Sequence, residues 1–220
     1  MPLEDDFCDI VKKARHGQGL AAEALAKASG LAAADVALLE QGRRAPTRAE
    51  AQVIGKALGL RGEALTQIAV EGWIPGAIPA QIECLETIVG DIGGYAVKGY
   101  LLYDKESEEA VMIDTGYNPA AMIDVCDGKN LRLTAVCLTH GHTDHAGGLD
   151  RVLRRWPAAV YLGVDDLDLL PWTPPRKQLV TIGPDENGRT ITAGHLTLRM
   201  MMTPGHTPGR RSYRDPRPAE

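Results

Sequence analysis

The sequence predicts an α/β domain carried behind a small all-α head. Three observations lead there. The first seventy residues are rich in alanine and leucine, show no two-residue alternation, and break at short glycine turns. From about residue 96 onward, short apolar runs alternate with helical patterns, the order expected of the α/β class. Between them, within residues 71–81, lies a connector punctuated by proline and glycine, Gly72-Trp-Ile-Pro-Gly-Ala-Ile-Pro79. At 220 residues the chain is long enough for two modest domains.

In the head, residues 1–70, a first helix is expected from about Asp6 to Arg15, closed by His16-Gly17. A second, Ala21 to Ala28, ends at Ser29-Gly30, where glycine suits the left-handed conformation of a C-terminal cap. The third spans about Ala33 to Glu40 and stops at Gln41-Gly42. Thr47-Arg-Ala-Glu50 has the spacing of a capping box and opens a fourth helix, which ends at Leu58-Gly59. A fifth runs from Glu63 to Val70. Ile10, Val11, Leu25, Leu31, Val36, Leu39, Ile54 and Leu58 supply the inward faces.

Beyond the connector, Ala96–Asp104 and Glu109–Ile113 form paired strands around Lys105-Glu-Ser-Glu108. Asn118-Pro119 is an N-cap with proline at the first helical position, and starts a helix to about Cys126. A strand Leu133–Leu138 follows, then a helix from about Gly148 to Trp156, a strand Ala159–Gly163 and a helical turn Asp165–Leu170. Trp172-Thr-Pro-Pro-Arg176 is a rigid loop, and Leu196–Met202 the last strand. The tail 210–220, rich in arginine and proline without periodicity, reads as disordered.

Composition narrows the setting. With 24 basic and 29 acidic side chains the net charge is −5, which gives no general affinity for polyanions. No apolar run approaches the roughly 18 residues that a membrane helix needs, so no membrane partner is expected. The acidic start Met1-Pro-Leu-Glu-Asp-Asp-Phe7 is unlike a secretory signal. Cys8, Cys84, Cys126 and Cys137 lack paired spacing, which suggests reduced thiols in a cytoplasmic protein. Cys126 and Cys137 are expected as small buried apolar residues.

The chemistry concentrates in Thr139-His-Gly-His-Thr-Asp-His-Ala-Gly-Gly148. Three histidines and one aspartate fall directly after the apolar run Leu133-Thr-Ala-Val-Cys-Leu138. A strand ending in such a loop points several imidazoles and a carboxylate into one small volume. Those are the ligands that divalent zinc, iron and manganese prefer. Without a cation, groups held this close would repel one another or go unsatisfied. The motif therefore predicts a metal site.

HxHxDH after a strand, followed by Gly147-Gly148, resembles the signature of the metallo-β-lactamase superfamily. Thr203-Pro-Gly-His-Thr-Pro-Gly209 resembles the segment that carries the family's next histidine ligand. Asp114, in Val111-Met-Ile-Asp-Thr-Gly116, matches its early strand-end aspartate. The resemblance covers residues 82–209, and the TPGHTPG wording is most similar to the glyoxalase II group. It implies an αββα sandwich, two sheets between helical layers. It implies that His140, His142 and His206 bind a first metal, that Asp144 and His145 begin a second site, and that Asp114 buttresses the metal loops. The implied cofactor is zinc, one or two ions, with iron or manganese as alternatives. The implied reaction is hydrolysis of a small-molecule thioester, lactone or related carbonyl substrate by a metal-bound hydroxide. With one metal, Asp144 would instead orient the water or protonate the leaving group. The loop bearing Trp172 would contact substrate or pack locally.

The chain also departs from that family. Members continue from the TPGH segment to an aspartate that bridges both metals, and later to a further histidine. Here Asp215 is the nearest carboxylate and no histidine follows His206. The resemblance thus implies a chain truncated relative to the family, with a half-built second metal site and most of the second half of the sandwich missing. Exposed sheet edges would favour association, including a homo-oligomer. The competing class is a transcriptional regulator, or an inactive pseudoenzyme whose metal domain senses a ligand.

The head's Leu-Ala…Ser-Gly-Leu…Leu-Glu-x-Gly-Arg-Arg-x-Pro pattern resembles the XRE/Cro-type helix-turn-helix domain, most specifically at Leu39-Glu-Gln-Gly-Arg-Arg-Ala-Pro46. Such domains lay their third helix in the DNA major groove. This third helix, Ala32-Ala-Ala-Asp-Val-Ala-Leu-Leu39, offers no side chain for base contacts, and residues 1–70 hold nine basic against nine acidic side chains. Three readings compete: sequence-specific DNA binding, a helical dimerisation or partner module, and non-specific phosphate contact through Arg43, Arg44 and Arg48. His16 and His195 stand outside the motifs and are expected to be structural or exposed. Gly147 and Gly148 are expected to permit close packing behind the metal loop.

Overall fold

The computed structural model describes residues 6–74 and 83–216. It divides into two compact units, one holding Met1–Pro79 and Pro204–Pro208, the other Ala80–Thr203 and Gly209–Glu220.

The head consists of α1 (Phe7–Gly17), α2 (Ala22–Ser29), α3 (Ala33–Glu40), α4 (Arg48–Ala57) and α5 (Gly62–Ala69). Local chemistry explains the ends. The Asp6 carboxylate accepts from the Cys8 amide at 3.1 Å and caps α1. Gly30, with φ +72°, closes α2 in the left-handed conformation. Thr47 and Glu50 make both halves of a capping box on α4. Val11, Leu25, Val36, Leu39, Ile54 and Leu58 form the core, while Ile10 and Leu31 pack at its margin. The half-turn registers shift by a residue or two from the sequence expectation, as fraying helix ends do.

The second unit is built on a six-stranded sheet in the order β1-β2-β3-β4-β5-β6. The strands are β1 (Leu85–Ile92), β2 (Tyr95–Tyr103), β3 (Glu109–Ile113), β4 (Arg132–Cys137), β5 (Ala159–Gly163) and β6 (Leu179–Ile182). The first three pair antiparallel and the last four parallel. Helices α6 (Pro119–Gly128), α7 (Thr143–Ala146) and α8 (Leu149–Arg155) follow β3 and β4. A smaller antiparallel sheet holds β7 (Thr190–Ala193), β8 (Leu196–Met202) and β9 (Arg211–Arg214).

Strand alternation sorts the side chains onto two faces. Ala110, Met112, Val136 and Leu138 pack with Met122 and Cys126 of α6 and with Leu149 and Val152 of α8. Val111, Ala135 and Cys137 face the other way, onto Ile191, Ala193 and Leu198 of the small sheet. Sheet packs on sheet, as the α/β sandwich requires.

Strands β1, β6, β7 and β9 go beyond the sequence expectation. The tail needs correction. It reads as disordered over 210–220, yet Arg211–Arg214 pairs with Met202–Arg199 of β8. The physical reason is that Arg211 is wholly buried and Tyr213 donates its hydroxyl to the Leu138 carbonyl at 2.8 Å. Residues 217–220, and residues 75–81 of the expected connector, lie outside the described residues.

Candidate metal centre

The parallel strands β3 and β4 end side by side, and the loops leaving their carboxyl ends carry the chemistry, where open α/β sheets bind ligands. Asp114 follows β3 directly and is 3% exposed. Its φ of +55° is left-handed, a conformation rare for non-glycine residues and held here by its hydrogen bonds. Asp114 Oδ1 accepts from the Thr139 amide at 2.7 Å, and Oδ2 accepts from Thr139 Oγ1 at 2.7 Å and from His145 Nδ1 at 2.8 Å. Thr139 Oγ1 also lies 3.1 Å from His140 Nδ1. The hydroxyl has one proton, which goes to Asp114, so its oxygen accepts from Nδ1–H of His140. In its neutral form each ring then keeps its lone pair on Nε2, the arrangement that partners of metal-binding histidines impose.

Thr115 completes the frame. Its amide and its hydroxyl both donate to the His145 carbonyl at 2.7 Å, and its oxygen accepts from the Gly148 amide at 3.2 Å. Gly148 sits against Pro119, where a Cβ would collide with the ring. The close packing expected of this glycine is present.

Ligand-type atoms gather in two overlapping groups, His140 with His142 and His206, and His140 with Asp144 and His145. Within each group the atoms lie within 4.8 Å of one another. His140 belongs to both, whereas the sequence reading gives it to the first alone. His140 is buried, and Asp144 and His145 are half-buried. Asp144 Oδ2 is 3.3 Å from His145 Nε2. Burial works against a charged His145 ring, but the hydrogen bond and charge of Asp114 outweigh it and hold its pKa above the usual value. Asp215 belongs to neither group.

The remaining expectations fall out as follows. Cys126 and Cys137 are fully buried, and desolvation pushes the Cys126 thiol up to about 12 and Cys137 higher still. His195 Nδ1 lies 2.9 Å from Asp104 Oδ2, and His16 Nε2 lies 3.0 Å from Arg15. Trp172 is partly exposed. In the head, Arg44 bonds Asp35 at 3.0 Å and Glu50 at 2.6 Å, and Arg48 pairs with Glu71 and, at 3.6 Å, with Glu63. Arg43 is exposed. Two of the three arginines expected to grip phosphates are therefore engaged with carboxylates of their own unit. Thr115, Thr139, Arg211 and Tyr213 were not singled out by sequence. The first two adjoin motif residues, and that adjacency is the signal that points to them.

Fold and loop define a metallo-β-lactamase-like α/β protein. Residues 92–218 match the metallo-beta-lactamase superfamily, and the chain belongs to that family. It is 32% identical over 104 residues to a hydroxyacylglutathione hydrolase of Legionella pneumophila, covering 47% of this chain and 37% of that protein. It is 25% identical over 114 residues to a probable polyketide biosynthesis zinc-dependent hydrolase of Bacillus velezensis, covering 52% of this chain and 48% of the other. Among solved structures it resembles the BLEG-1 B3 metallo-beta-lactamase, with a TM-score of 0.50, 28% identity, and coverage of 60% of this chain and 66% of that one. The chain spans about half or less of the length of these curated relatives.

Proposed function

We propose that this chain is a zinc-dependent hydrolase acting on a thioester, lactone or related carbonyl compound. The observation that carries the proposal is the frame around Asp114, which presents His140 and His145 with Nε2 lone pairs beside Asp144. Donor chemistry fits the ion: imidazole nitrogens and one carboxylate, buried at one side and open at the other, match a catalytic rather than a closed structural site. His140, His142 and His206 would hold one ion, and Asp144 with His145 would begin a neighbouring site. Bound zinc supplies Lewis acidity toward a carbonyl and acidifies water.

The protein's own residues do the rest. Asp114 and Thr139 fix ring orientation. Thr115 anchors the backbone of His145 and so keeps α7 in place. With a single ion bound, Asp144, half-buried and free of metal, would orient the water or protonate the leaving group. Support for a thioester comes from the relatives named as hydroxyacylglutathione hydrolases.

The test is turnover of S-lactoylglutathione and of a simple lactone by the zinc-loaded chain. Turnover that disappears in His142→Ala, and falls about 100-fold or more in Asp144→Asn, is expected. Zinc binding without turnover of either substrate would instead favour a ligand-sensing role.

A further inference from the structure

We infer that Arg211 and Tyr213 of β9 are positioning residues for the metal centre, setting how tightly it binds zinc by pinning the backbone where one ligand-bearing loop begins and the other ends. The inference rests on the zinc reading above and deepens it.

Strand β9 meets the end of β4 twice. Tyr213 donates its hydroxyl to the Leu138 carbonyl at 2.8 Å, and the Arg211 amide donates to the Thr139 carbonyl at 2.8 Å. Leu138 and Thr139 are the last two residues before His140. Burial pushes the Tyr213 phenol well above its ordinary range, so it stays a donor.

The Arg211 side chain, fully buried, reaches in the other direction. One guanidinium nitrogen donates to the carbonyls of Gly209 at 2.9 Å and Arg210 at 3.0 Å, and the other to the Ile182 carbonyl at 2.9 Å at the end of β6. Gly209 is gripped on its amide side too, donating to the buried carboxylate of Asp166 at 2.8 Å. Its carbonyl lies so close to Gly163 that a Cβ there would collide with it. Gly209 and Arg210 close the segment that carries His206. A buried arginine spent on main-chain carbonyls is costly unless its geometry is used. Here it ties β4, β6 and the Gly209–Arg210 turn to one point.

Metal ligands misplaced by a fraction of an ångström lose affinity, and residues behind the ligands commonly shift it about 10–100-fold. The experiment compares zinc affinity, by competition with a chromogenic chelator, with melting temperature, for the wild type, Tyr213→Phe, Arg211→Lys and Leu198→Ala. Leu198 lies in the same inter-sheet core but not at the loop ends, so its variant controls for stability alone. Tyr213→Phe removes one hydroxyl and nothing else, and remains informative where the arginine variant fails to fold. It is expected to bind zinc about tenfold more weakly and to change the visible spectrum of the cobalt-loaded protein, while Leu198→Ala lowers stability with affinity and spectrum unaltered. Unchanged affinity and spectrum in Tyr213→Phe and Arg211→Lys overturn the inference, as does an equal loss in Leu198→Ala. A wild type that binds no zinc sinks the metal reading itself.

Discussion

Asp114 decides the chemistry of the centre without being a candidate ligand. One buried carboxylate accepts from a backbone amide, a hydroxyl and an imidazole. Asp114→Asn replaces an acceptor oxygen by an amide NH2, a donor that then faces donors. Zinc affinity is expected to fall about 10–100-fold, measured by chelator competition, with the far-ultraviolet circular dichroism unchanged. Unaltered affinity would mean that ring orientation is set elsewhere. The clustering of His140, His142, Asp144 and His145 was legible in the sequence because HxHxDH compresses four candidate donors into six positions, where local spacing alone forces proximity. Thr139 was not legible in the same way. Its role depends on Asp114, twenty-five residues away along the chain, and such a pairing appears only once β3 and β4 lie side by side.

At the scale of elements, helices were more legible than strands. The Thr47–Glu50 capping box and the Gly30 cap are local signals, and both occur as read. Thr47→Ala is expected to cost about 1 kcal/mol, visible in thermal unfolding. Glu50 also serves Arg44, whose hydrogen bonds and charge hold the Glu50 carboxyl at about 2. A depressed carboxylate stabilises the fold above its unfolded value near 4.5, and that contribution disappears as pH falls toward 2. Glu50→Gln should therefore melt a few degrees below wild type at neutral pH, and the gap should close as the pH falls through that window. A gap that persists at the acid end would contradict the assignment. The same ion pairs bear on nucleic acid: with Arg44 and Arg48 engaged, any mobility shift on genomic fragments is expected to vanish above roughly 0.1 M salt. Burial in β1 alternates from Thr87 to Asp91, but the sequence hides it, because the outward Val89 is apolar and the inward Gly90 has no side chain. Strand β9 escaped notice because Arg-Ser-Tyr-Arg reads as a solvated tail, and its order comes from non-local acceptors at Leu138 and Ile182.

For the whole molecule, the pattern of strands and helices foretold the class, and the two-sheet packing realises it through Val111, Ala135 and Cys137 against Ile191 and Leu198. The two candidate ligand groups share His140. That sharing gives the sharpest test. Elemental mass spectrometry of purified protein, wild type beside His140→Ala and His142→Ala, reads metal per chain directly. Because His140 serves both groups, its removal should empty the protein, whereas His142→Ala should spare the group of His140, Asp144 and His145. About one or two zinc ions per wild-type chain, lost in His140→Ala with the fold retained, is the expected result. A folded wild type without metal, or a His140→Ala protein that keeps it, would contradict the account.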